Sequence, residues 1–179
     1  DNPDEIWRSS YENQIGNEER FLLNCLFTLR GEAPINLLEH VYNARIKNEI
    51  DNFGYMVKND SFNKSIKNLE GSYLKSSYDG KNELLTISFV NPSISDFLIN
   101  YLNQSNSERL RLFQGIVLIE QVINIFHPSQ ENYLNFDKVE GRKYYQTLLK
   151  NEEKLRKFKN SNRFNLEFLK TLFILFNDF

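Results

Sequence analysis

The sequence predicts a mainly α-helical protein with a winged-helix-like unit near its middle, made of three helices plus a two-stranded hairpin, and a helical extension after it. Three observations carry that prediction. Apolar residues recur at three and four positions over most of the chain. The period falls to two only around residues 73–90. Between residues 18 and 103 the elements read helix, helix, helix, hairpin, helix, which is the order of a winged helix-turn-helix.

The opening DNPDEIW is a helix start: Asn2 can cap, Pro3 suits the first helical position, and Asp4 and Glu5 favour the positive end of the helix dipole. A first helix over about 3–15 would bury Ile6, Trp7, Tyr11 and Ile15, and Gly16 and Asn17 break it. Asn17 is then placed to cap a second helix over 18–30, where Phe21, Leu22, Cys25, Leu26 and Leu29 form a stripe widened by Leu23 and Phe27. So broad a stripe predicts a central position. Gly31 ends this helix, and Pro34 begins a third with Leu38, Val41, Tyr42 and Ile46 inward. The segment DNFGYMVKND reads as a loop or a frayed continuation. A fourth helix from Asp60 or Ser61 to about Glu70 places Phe62, Ile66, Leu69 and Tyr73 on one face, and Gly71 stops it.

Residues 73–78 and 84–90 flank the turn-rich tetrad DGKN. In the second run Leu85, Ile87 and Phe89 alternate with Thr86 and Ser88, the pattern of a half-buried strand. Asn91-Pro92-Ser93 ends that strand and starts a helix over about 93–103, with Ile94, Phe97, Leu98, Tyr101 and Leu102 inward. The polar stretch NQSNSE marks a boundary. This divides the chain into an N-terminal helix at 1–17, a winged-helix-like domain at 18–103 and a helical domain at 104–179. The last region is read as a helix around 106–126 with Leu110, Phe113, Val117, Ile119, Ile123 and Phe126 inward. A link through His127 and Pro128 to about Lys138 follows, then helices near 140–158 and 163–177. Phe164, Phe168, Phe173, Phe176 and Phe179 supply the apolar face of the last of these, and KNEEKLRKFKNSNR reads as a solvated turn.

Composition narrows the function. Hydrophobic residues make up 40% of the 179 and aromatics 14%, too apolar for a disordered tail. A net charge of −2 argues against a surface built throughout for nucleic acid or anionic lipid. No stretch approaches the ~20 apolar residues that span a bilayer, and no signal peptide opens the chain, so a cytoplasmic setting without membrane contact is expected. Cys25, the single cysteine, lies in the apolar run FLLNCLFTL and reads as a buried small hydrophobe. The chain starts at Asp1 without an initiator Met, which reads as a piece of a longer protein.

No catalytic residue is predicted. His40 and His127 have no partner His, Cys or paired carboxylate at metal-ligand spacing, so no metal site is expected. The chain contains no G-x-x-x-x-G-K-[ST], G-x-S-x-G or H-E-x-x-H. A winged helix invites a DNA-binding reading through its third helix and wing, with Lys64, Lys67, Lys75 and Lys81 as the contacts. Between residues 58 and 81 five lysines face Asp60, Glu70 and Asp79, a balance of +2, and no arginine is present to reach base edges.

The segment FVNPSISDFLINYL (Phe89–Leu102) resembles the end of the winged-helix domain of STAND P-loop NTPases, the class containing NACHT and NB-ARC proteins. The stretch from NPDEIW through FLLNCLFTLRGEAPINLLEHVYNARI to FVNPSISDFL is similar to the bacterial subtype called novel STAND NTPase 3. The resemblance covers residues 1–103. It implies a non-catalytic regulatory and protein-interaction fragment of a bacterial signal-transduction ATPase, with anti-phage defence as the associated setting. The winged helix would fold back on the parent's nucleotide-binding domain and hold the ADP-bound resting state. ATP or ADP would belong to the parent, because this chain lacks a P-loop and carries no cofactor of its own. The family's motif has a histidine that contacts nucleotide phosphate; Asn91 stands in that place, able to donate a hydrogen bond but not to become cationic. Read locally, Asn91-Pro92-Ser93 is a strand-to-helix turn with a side-chain cap.

Overall fold

The computed structural model describes residues 3–80 and 83–125, with residues 134–135, 139–141, 143–144 and 146–147 beyond them. The chain is mainly helical with one small antiparallel sheet. Its described elements run α1 (Pro3–Asn13), α2 (Asn17–Thr28), β1 (Glu32–Pro34), α3 (Ile35–Phe53), α4 (Ser61–Leu69), β2 (Leu74–Asp79), β3 (Leu84–Phe89), α5 (Ser93–Asn103), α6 (Asn106–Gln114) and α7 (Ile119–Ile125). From α2 to β3 the order is winged-helix-like.

The centre is α2, as its broad apolar stripe requires. Leu22, Leu23 and Leu26 are wholly buried, and Phe21, Cys25 and Phe27 nearly so. Helices α3 and α4 lay single apolar faces against it, through Leu38, Val41 and Tyr42 and through Phe62 and Leu69. On the other side α1 packs on α5, where Tyr11 sits edge-on to Phe97 (5.4 Å) and Tyr101 (4.9 Å).

The sheet contains the expected hairpin, β2 paired with β3, and adds a strand the sequence does not announce, giving the order β1-β3-β2. Strand β1 is only Glu-Ala-Pro, too short for a period-two pattern, and pairs with the far edge of β3 through Ala33 and Ile87. Gly31 makes this possible: its φ of 79° turns the chain out of α2. A Cβ there would lie 2.8 Å from the Phe89 ring. The clean alternation in β3 is also lost, since Ile87, Ser88 and Phe89 are all buried in this central strand.

Other differences are local. Asn17 is not the cap of α2; extended Gly16 takes that position, and Asn17 is the first helical residue. Pro34 likewise precedes α3 as its N-cap. Helix α3 runs on to Phe53, so residues 51–53 take the continuation alternative, and it ends where Gly54 turns left-handed and donates to the Ile50 carbonyl. Ile6 is 57% exposed, because α1 turns Tyr11 and Trp7, not Ile6, toward the core.

The single helix expected over 106–126 is two helices. Ser105 caps α6 by accepting from the Glu108 amide (3.3 Å). The chain then breaks between Gly115 and Leu118. Gln121 restarts it: its Oε1 accepts from the amides of Val117 and Leu118, each at 3.1 Å. The side chains of Ile119 and Ile123 lie outside the described set. Among the side chains described, the inward face comprises Leu112, Phe113, Ile116, Leu118, Val122 and Ile125, while Leu110 and Val117 are only half-buried. These residues join the same hydrophobic cluster as α2 and α5.

Of the helix expected over 140–158, residues 139–141, 143–144 and 146–147 are described and are helical. Asn2, Lys81, Phe126, His127, Pro128 and everything from 148 onward, including the five C-terminal phenylalanines and the helix expected over 163–177, lie outside the described residues.

Candidate functional site

Helix α4 and the β2–β3 hairpin occupy the positions of a reading helix and a wing. Along α4, Phe62, Ser65 and Leu69 face inward, leaving Asn63, Lys64, Lys67 and Asn68 exposed, as their spacing predicts. Most of these polar groups are already engaged. Lys64 Nζ donates to the Asn59 carbonyl (2.8 Å), Asn63 to Asp60 Oδ1 (2.7 Å) and Asn68 to Glu19 Oε1 (2.8 Å). Lys58 lies 3.5 Å from the buried Glu18 carboxylate. Lys67 and, on the wing, Lys75 are exposed.

Beside this helix the chain exposes apolar surface. At the end of α3 and in the loop that follows it, Ile50 is 43% exposed, Phe53 44%, Met56 90% and Val57 37%. Tyr55 in the same segment turns inward and packs edge-on against Phe21 at 5.4 Å. Burial, with the Glu18 carboxylate beside it, pushes the Tyr55 hydroxyl up to about 12. So one aromatic anchors the segment while its neighbours stay in water. The sequence reads DNFGYMVKND as a loop or a frayed continuation and does not foresee this ridge; Phe53, Met56 and Val57 close together in an otherwise polar stretch are the signal.

Asn91 is exposed at the end of β3. Its Oδ1 accepts from the Ser93 amide (3.0 Å), closing a turn around Pro92. Ser93 in turn accepts a hydrogen bond from Trp7 Nε1 (3.0 Å), which ties this corner to α1. Asn91 therefore has a local structural task at its oxygen.

A buried ionic cluster joins α3 to α6. Arg45 and Glu49, 1% and 0% exposed, lie one turn apart with Nη2 2.7 Å from Oε1. Arg111 of α6 pairs with the other Glu49 oxygen and with Glu108. The Arg45 guanidinium sits over Phe21 and that of Arg111 over Phe53. Gly115 admits the Arg45 stem, since a Cβ there would be 2.8 Å from Cδ. Positions 38, 41, 42, 45, 46 and 49 continue one helical stripe, so charges at 45 and 49 were the sign of a buried pair. Nearby, Tyr11, Arg20, Phe21, Asn24, Tyr55, Tyr101, Glu108 and Arg111 line a cavity of about 140 Å³. Its Arg20 is occupied by the carbonyls of Tyr11 (2.8 Å) and Glu12 (2.7 Å).

Cys25 is buried, and burial pushes its thiol up to about 12, which keeps it protonated at neutral pH. Among the described residues no group of three or more His, Cys, Asp or Glu could hold a metal ion. No helix among them is long and apolar enough to cross a membrane. No protein-family model matches the chain, and no curated protein or solved structure matches it either.

Proposed function

We propose that this chain is a non-catalytic regulatory and protein-interaction module of a bacterial STAND-type signal-transduction ATPase, acting in anti-phage defence in the cytoplasm. The resemblance of residues 1–103 supplies the family. The observation that carries the docking role is the apolar ridge at the end of α3 and the loop after it, with Met56 90% exposed beside a helix whose Lys64, Asn63 and Asn68 are spent on the chain itself. Such a surface suits a protein partner better than a phosphate backbone, which needs free cations.

In this reading the ridge meets the parent's nucleotide-binding domain, which holds ATP or ADP. Asn91 approaches the nucleotide through its Nδ2 donor while its oxygen keeps the turn at Ser93 closed. The experiment uses the parent protein. Met56→Asp should release bound ADP at least about fivefold faster, by burying a charge in the docked interface. A parent reading frame with no Walker A lysine, or ADP release unchanged in the variant, refutes the proposal. Duplex DNA measured by fluorescence anisotropy gives the competing outcome. Steeply salt-dependent binding, abolished by Lys64→Glu with Lys67→Glu, would make the chain a DNA-binding regulator instead.

A further inference from the structure

Strand β2 forms an outer edge of the sheet, and its side chains from Lys75 to Asp79 are all exposed. Its pairing with β3 is continuous over six residues, without a bulge, and it contains no proline. Such an edge is a template for another strand. The hydrogen-bond phase decides which groups are free. Val90 donates to the Tyr73 carbonyl (3.0 Å), so residues 73, 75, 77 and 79 direct their backbone groups toward β3, and residues 74, 76 and 78 direct theirs outward. The Leu74 carbonyl is taken by the Gly71 amide (2.8 Å). The open edge is therefore centred on Ser77, between the outward N–H and C=O groups of Ser76 and Tyr78.

We propose that this edge pairs with β2 of a second copy of the chain, antiparallel and with a two-fold axis through Ser77. That register uses the outward backbone groups of Ser76 and Tyr78. Ser76 and the Tyr78 of the second copy exchange both hydrogen bonds, and the symmetric pair does the same, giving four bonds. On one face Lys75 then lies opposite Asp79 of the second copy, twice over, with Ser77 facing its own equivalent. On the other face Tyr78, 66% exposed in the monomer, lies against Ser76 of the second copy, whose hydroxyl donates within its own chain to Glu70 Oε1 (2.8 Å). A parallel arrangement in register would set Lys75 beside Lys75 and Asp79 beside Asp79, so the charges select the antiparallel one. The contact is isologous and closes at two copies. A single strand pair is small for an interface, so the dimer forms with a dissociation constant on the order of 100 µM. This inference is independent of the proposed function, since it involves neither the ridge nor a nucleotide.

Sedimentation equilibrium across a concentration series reads the association directly. Lys75→Asp sets two carboxylates against each other on both sides of the axis and should weaken association about tenfold or more. Asp79→Lys should do the same, and the double variant K75D/D79K should restore it. Ser77→Cys gives the geometric test. A non-hydrogen-bonded antiparallel pair holds its Cα atoms about 4.5 Å apart, within the range of about 4.4–6.8 Å that a disulfide spans. Mild oxidation should therefore yield a covalent dimer from Ser77→Cys and little from Ser76→Cys, with buried Cys25 silent. A chain that stays monomeric up to about ten times that dissociation constant overturns the proposal. So does a dimer that ignores both charge changes, or one that cross-links at 76 in preference to 77.

Discussion

The inner layer of α2 and α3 and the wing strand β2 are built by opposite rules. Nine of the twelve residues of α2 are buried, including Glu18, Asn24 and Thr28, whereas only Leu74 of the six in β2 is. In α2 even the buried polar side chains have partners: Tyr11 donates to Asn24 (3.2 Å), and Gln121 donates to Thr28 (2.7 Å). In β2 the demands are fewer: Leu74 is buried, the Ser76 hydroxyl donates to Glu70 Oε1 (2.8 Å), and the rest of the strand is exposed. The difference separates residues whose identity is dictated by packing from residues whose side chains face solvent.

The comparison can be broken most forcefully at Glu49. Replacing it with Ala leaves buried Arg45 without its carboxylate and should cost about 3–5 kcal/mol, read from urea unfolding. An effect no larger than a surface substitution would mean that the charged cluster contributes nothing to the inner layer. Tyr11→Phe is a smaller probe. It strips the buried Asn24 oxygen of its donor, at about 1 kcal/mol near pH 7.

The same tyrosine carries a pH signature. Burial holds its ionisation above the ordinary value of 10.0, so its contribution is complete below pH 10 and fades as pH rises through the folded-state value. Wild-type stability should fall above about pH 10, and the variant should lose less of its stability over that interval. Equal alkaline slopes would contradict the assignment. At the bottom of the scale, Tyr78→Ser on the wing should change monomer stability by no more than about 0.5 kcal/mol, measured by thermal unfolding at low concentration. A larger loss would show that the wing is packed after all.

Much of the fold is legible in the sequence, and the reasons are specific. Helices such as Ser61–Leu69 and Ser93–Asn103 declare themselves because each lays a clear apolar face on the core, and β2 and β3 because the period changes around an Asp-Gly turn. Strand β1 is invisible because three residues hold no period, and its pairing is set by a strand more than fifty positions away. The break at Gly115 is hidden by apolar residues that keep helical spacing across it; that Gly115 leaves room for the Arg45 stem is a tertiary fact. At the candidate site the exposure of Lys64, Lys67 and Lys75 follows from spacing, but the engagement of Lys64 by the Asn59 carbonyl does not. Asn91 is the opposite case, since its turn with Ser93 follows from the tripeptide alone.

The strand that the sequence conceals changes the mechanics of the wing. Because the Gly31 carbonyl receives the Phe89 amide at 2.9 Å and Ala33 flanks Ile87, the base of the hairpin is clamped from both sides. Its far end, at Tyr78 and Leu84, projects beyond the clamp. The hairpin is thus a cantilever: a load at its tip bends the outer few residues, while the root transmits only a rigid tilt to the helix beneath it.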